Sequence, residues 1–185
     1  MSDVTRILQN IQQGDAKAAE ELLKLIYDEL RRLAASKMAR ERPGQTIQAT
    51  ELVHEAWLRL FGADAAAPFE NRRHFFGAAA EAMRCILVDR ARRRDTREKG
   101  GFAHREELQD DAIIVNAPDD QLLAVHEWLD LLAAEDPVAA EVTKLHFFIG
   151  MTLKQVAEVL GLSNEDKAQK LWSFSRAWLR ENIQK

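Results

Sequence analysis

Apolar residues recur with helical spacing along most of the chain. Ala18, Leu22, Leu25, Ile26, Leu30 and Leu33 line one side of a helix predicted from about Asp15 to Ala39, and Pro43-Gly44 ends that segment. Leu52, Val53, Ala56, Trp57, Leu60 and Phe61 make a wide stripe on a second helix, from about Ala49 to Phe61, with Glu51, Glu55 and Arg59 on the opposite side. After the short Ala-rich loop Gly62–Pro68, a third helix from about Asn71 to Arg93 turns Phe75, Phe76, Ala79, Met83, Ile86 and Leu87 inward, and arginines gather toward its end. Periodicity is lost over 95–118, where Gly100-Gly101, Glu106-Glu107, Asp110-Asp111 and Asn116-Ala117-Pro118 read as a linker. It returns around Asp120–Ala134 and Pro137–Phe148.

The run from Met151 to Trp178 carries the most specific pattern. Thr152 is placed to cap a helix whose apolar face is Val156, Ala157, Val159 and Leu160, and Gly161 supplies the positive φ of a sharp turn. Ala157, four residues before that glycine, stands where a second helix crosses closest. Ala168, Leu171, Trp172, Phe174 and Ala177 are the residues of that second helix available to pack inward. The spacing predicts a helix-turn-helix, whose second helix would offer its opening residues to a DNA major groove; a plain helical hairpin has the same spacing. The expected fold is therefore all-α: a helical domain over 1–94, a linker over 95–118 and a helix-turn-helix domain over 119–185.

Charge sharpens this picture. The net charge of −4 hides a segregation, since residues 72–99 carry nine Arg/Lys against four Asp/Glu and residues 101–141 one against eleven. The first block suits polyanions and the second repels them. Cys85, the single cysteine, can form no internal disulfide, and its apolar neighbours suggest a buried thiol. The start of the chain shows no apolar run suited to a signal peptide, and no stretch reaches the roughly 20 apolar residues of a membrane span. A cytoplasmic protein without membrane contact is expected. The five histidines fall singly in different elements, and there is no glycine-rich phosphate loop. Neither catalytic residues nor a metal site nor a cofactor is expected.

In order and spacing, these parts resemble bacterial sigma factors of the extracytoplasmic-function type. Ala49-Thr50-Glu51-Leu52-Val53-His54-Glu55-Ala56-Trp57-Leu58-Arg59-Leu60 is similar to their region 2.2, Phe69 through Lys99 to regions 2.3 and 2.4, and residues 120–180 to region 4. The resemblance implies binding to core RNA polymerase through its β′ clamp helices, with Gln48, Thr50, Glu51, Glu55 and Arg59 at the contact. It also implies two contacts with promoter DNA. Asn71, Arg72 and Arg73 would serve the minus-10 element, near Phe69, His74, Phe75 and Phe76, although helical spacing favours Phe75 and Phe76 as core. Arg90, Arg92, Arg93, Arg94 and Arg97 would neutralise phosphates. Lys167, Gln169, Lys170 and Arg176 would serve the minus-35 element. The acidic linker would lie in the polymerase's RNA channel or act only as a solubilising tether. A helix-turn-helix repressor or activator with an N-terminal dimerisation domain is the alternative; the separate arginine-rich segment argues against it.

Two departures from the family pattern bear on mechanism. Asn164-Glu165-Asp166 places acids at the start of the recognition helix, favourable for the helix dipole but unfavourable toward phosphates. Region 2.2 of the family opens with an acidic D-A-E-D-L motif, whereas this chain has Gln48-Ala49-Thr50-Glu51-Leu52. A phosphate on Thr50 would restore about −1.5 to −2 of charge near a helix N-terminus. A Ser/Thr protein kinase would then be a partner; Thr50 as a simple N-cap is the competing reading. Whether an anti-sigma protein exists is not legible in these residues.

Overall fold

The structure is a computed structural model that describes residues 3–13, 17–18, 20–22, 24–25, 49–61, 69–97 and 119–183. It is all-α, with no strand among the described residues. The helices are α1 (Asp3–Gln12), α2 (Ala49–Phe61), α3 (Arg72–Arg97), α4 (Asp119–Glu135), α5 (Pro137–Thr143), α6 (Leu153–Leu160) and α7 (Glu165–Ile183), with a π-helical turn, Lys144–Ile149, continuing α5. Ala18 and Leu22 are helical and buried, but Leu25, expected inward, is exposed. Ile26, Leu30 and Leu33 lie outside the described residues. The pattern reading missed α1, although Val4, Ile7 and Ile11 hold i, i+3, i+7 spacing and pack into the core. None of the described helices is long and apolar enough to cross a membrane.

Helix α3 is central. Its residues from Phe75 to Ala91 are apolar on more than one side, and α2 packs against it from one direction while α4 and the π turn pack from another. The α2 side is an aromatic stack: Trp57 on Phe61 at 4.0 Å, Phe61 edge-on to Phe69 at 5.5 Å, and Phe69 edge-on to Phe75 at 5.2 Å. Phe75 and Phe76 are fully buried core residues. The helix runs to Arg97, into the stretch whose composition reads as linker.

The C-terminal elements are bounded by strong local signals. Asp136 caps α5 by accepting from the amides of Val138 and Ala139, both at 2.9 Å, with Pro137 at the first helical position. The π turn then buries Leu145, Phe147, Phe148 and Ile149 together and ends at Gly150, φ 82°. Thr152 and Gln155 form a capping box on α6, and Gly161, φ 66°, ends that helix in the left-handed region. The amide of Leu162 donates to the Ala157 carbonyl at 2.9 Å, which makes Ala157 the pivot of the turn.

On α7 the inward face is Ala168, Trp172, Ser175 and Leu179; Phe174 and Ala177, expected inward, are exposed. The difference is rotational. Ser175 is small enough for α7 to approach α5, and its hydroxyl lies 3.2 Å from the Ala139 carbonyl and 2.9 Å from that of Leu171. His146 donates Nδ1–H to the Met151 carbonyl at 2.6 Å and meets the Trp172 ring edge-on at 4.7 Å, tying the π turn to both helices of the motif.

Gly161→Ala tests the turn. A Cβ there meets open space, so the cost is that of a left-handed alanine alone, about 1 kcal/mol. A fall in Tm of about 2–4 °C by circular dichroism is expected for a chain of this size. His126 on α4 gives a pH test. Its Nδ1 is buried without a hydrogen-bond partner, and burial, then Arg84 and Arg92, push its pKa below 6.5 against the opposing pull of Asp130 and Glu81. The unfolded chain therefore binds the proton more tightly. The neutral ring's contribution to stability is complete above about pH 6.5 and is lost as pH falls through the folded pKa. His126→Gln should flatten the dependence of Tm on pH below 6.5 relative to wild type; parallel profiles would count against this assignment.

Candidate nucleic-acid and partner-binding surfaces

The outward side of α2 carries Glu51, Glu55 and Arg59, because the opposite stripe is consumed by packing on α3. Its acids are not free. Arg90 of α3 donates through Nη2 to Glu51 Oε1 at 2.9 Å and to Glu55 Oε2 at 2.8 Å. Arg59 lies 3.8 Å from Glu55 and 3.4 Å from Asp89. The hydrogen bond to Glu51, outweighing desolvation and aided by Glu55, pushes the Arg90 pKa up. The two candidate polymerase-contact acids are thus neutralised within the chain by an arginine read from sequence as a phosphate contact. Leu58, 55% exposed, follows Glu51 and Glu55 at i+7 and i+3 on the same side of the helix. Sequence reasoning passed over it; the signal was a leucine outside the buried stripe. Thr50 lies in the first turn of α2, and Gln48 falls outside the described residues.

The start of α3 gathers the candidate minus-10 residues. Asn71 is the cap: its Oδ1 accepts from the His74 amide at 2.9 Å. Arg72 sits over the Phe76 ring, 5.4 Å from its centroid, with a buried Nε that lacks a hydrogen-bond partner. Arg73 is exposed on the next position, its Nε 3.3 Å from Glu141 of α5. Phe69 meets the His74 ring edge-on at 5.7 Å and is itself buried, so the aromatic rings here support the arginines rather than offering a free stacking surface. At the other end of α3, Arg92 and Arg93 are exposed, whereas Arg94 and Arg97 fall outside the described side chains.

The tip of α7 is polar and fully exposed. Asn164 caps it by accepting from the Lys167 amide at 3.0 Å, and Glu165, Asp166, Lys167, Gln169 and Lys170 all face solvent. Lys167, Lys170 and Phe174 share one side at i, i+3, i+7. Arg176 stands apart. It is half-buried more than two turns further along, and burial, then Arg180, lower its pKa. Cys85 is half-buried, and burial, then Glu81, raise its thiol pKa; this is a thiol held unreactive.

Comparison with known proteins agrees with this geometry. The family model for ECF sigma factors matches residues 1–185. Neither the curated proteins nor the solved structures include a match. An all-α chain with a capped helix-turn-helix at one end and a two-sided, arginine-rich helix packed on an amphipathic partner at the other belongs to the ECF sigma factor family, whose members partner core RNA polymerase in promoter recognition.

Proposed function

We propose that this sigma factor docks on the β′ clamp helices through the outer side of α2, and that negative charge at Thr50 sets how tightly it does so. One observation carries the reading: the acids that remain on α2, Glu51 and Glu55, are already paired with Arg90, while Gln48 and Thr50 stand where the family has acids. A basic clamp then meets a surface with little net negative charge. A phosphate in the first turn of α2 would add charge where the helix dipole favours it and would compete with Glu51 for Arg90. The halves 1–94 and 119–185, joined through 95–118, act as regions 2 and 4. Asn71, Arg72, Arg73, Arg92, Arg93 and Arg94 face minus-10 DNA, and Lys167, Gln169 and Lys170 face the minus-35 element.

Titration against core polymerase tests the switch. Thr50→Glu should tighten binding and Thr50→Ala should not, because a charge-assisted contact is worth about 1.5–3 kcal/mol and glutamate reproduces only part of it. Arg90→Ala, which removes the cation paired with Glu51 and leaves Glu55 only the longer contact with Arg59, should also tighten binding by unmodified protein. Full transcription by unmodified protein without a kinase would sink the switch. If Thr50 is only an N-cap, Thr50→Ala lowers Tm and Thr50→Glu leaves polymerase affinity unchanged.

Arg92, Arg93 and Arg94 give a second test. Replacing all three with Ala in the holoenzyme should reduce open-complex formation and flatten its salt dependence, each lost phosphate contact lowering the log–log slope by about 0.9. An unchanged slope would place these arginines away from DNA.

A further inference from the structure

Phe174 is the only phenylalanine or tryptophan among the described residues whose side chain is exposed, at 41%. Single exposed apolar side chains are ordinary on a protein surface, and what distinguishes this one is its company. It lies on α7, the second helix of the helix-turn-helix, outside the buried face of Ala168, Trp172, Ser175 and Leu179. The fold does not need the ring, because Ser175 occupies the buried place beside α5.

Helix geometry sets its neighbours. At about 100° per residue, Phe174 falls between the exposed Lys167 and Lys170 in the view down the axis of α7. Glu165, the acid that opens the helix, falls about half a turn away, and Asp166 stands between the two sides. Arg176, also expected at the minus-35 element, is half-buried about 160° round the helix from Phe174. The exposed cations in the first half of α7 and its exposed ring therefore share a side.

In a major groove, that side presents two kinds of chemistry. Lysine ammonium groups meet phosphate oxygens or the O6 and N7 of guanine. A phenyl ring donates no hydrogen bond, and the apolar feature that a base pair offers it there is the C5-methyl of thymine. Lys167 and Phe174 are about 10 Å apart along the axis at 1.5 Å per residue, which is about three base-pair steps at 3.4 Å. Contacts at the lysines fix the register, and the ring then meets a base edge a few steps along the same groove.

We infer that Phe174 is a specificity-determining residue for the minus-35 element, its ring packing on the methyl of a thymine about three base pairs from the Lys167 contact and selecting thymine there. The inference rests on the proposed reading of α7 as the minus-35 helix and goes beyond it in naming the base and the group that is read.

The test uses holoenzyme reconstituted from core RNA polymerase and the full chain. A library of promoter duplexes randomised over the upstream element is enriched by binding, and each thymine of the enriched duplex is then replaced by deoxyuridine, which lacks only the methyl. Wild type should show one thymine whose replacement weakens binding about fourfold, as expected for one buried methyl group. Phe174→Ala should bind the thymine duplex about four- to tenfold more weakly and lose nothing further on deoxyuridine replacement at that position. Phe174→Gln, of similar length and good helix propensity, should do the same and serves if Phe174→Ala loses helicity by circular dichroism. A wild type indifferent to every methyl, or a methyl effect that persists in the variants, overturns the inference. Weaker binding of the Phe174 variants to core polymerase, with the methyl effect intact, would place the ring on polymerase and overturns it as well. Failure of the α7 reading itself is separate: Lys167→Ala with Lys170→Ala would then leave binding of the enriched duplex and its salt dependence unchanged.

Discussion

The rest of the structure depends on α3 being buried from two directions. A helix with a single apolar stripe could serve α2 or the C-terminal elements, but not both. From Phe75 to Ala91 this helix places Phe, Ala, Met, Ile, Leu and Val around much of its circumference, so the buried side chains run as one continuous cluster from Val4 to Leu179. The price of the second face is Arg84, a cation drawn into the contact and kept charged there by Glu81 and Asp130 against the pull of desolvation.

Around α2 and α3, charged side chains at the surface pair with one another: Glu51 and Glu55 with Arg90, Asp89 with Arg59, Glu141 of α5 with Arg73. Each pair is at least partly solvated, and such pairs are worth only about 0–1 kcal/mol. They orient the side chains without committing them, so exchanging an internal partner for an outside charged group would cost little. Arg84 is the exception, because its side chain is only 9% exposed where it pairs with Glu81 and Asp130.

The helix-turn-helix rests on different physics. Its stability is local: a capping box at Thr152, a left-handed glycine at 161, the Asn164 cap, and a serine that lets α7 lie close to α5. His146 ties this unit to the π turn, so the turn that forms part of the contact with α3 also supports α7. The acids at the tip of α7 remain fully solvated. They favour the helix dipole, and Lys167, Gln169 and Lys170 beside them are exposed as well.

The residues alone determined what depends on near neighbours in the chain. Helix periods placed α2 from Ala49 to Phe61, and Thr152, Gly161 and Ala157 placed the helix-turn-helix, because caps, turns and amphipathic stripes act within about four residues. The aromatic character of Phe75 and Phe76 was legible as core for the same reason. Tertiary structure decided what depends on distance in sequence. Composition marked Arg90 as a phosphate contact, and only the packing of α3 on α2 set it against Glu51 and Glu55. Periodicity turned Phe174 inward, and only the approach of α5 rotated α7 so that Ser175 took the buried place. The pairing of Arg84 with Asp130 joins residues on either side of the acidic stretch, and no local pattern signals which face of a two-sided helix a distant carboxylate will meet.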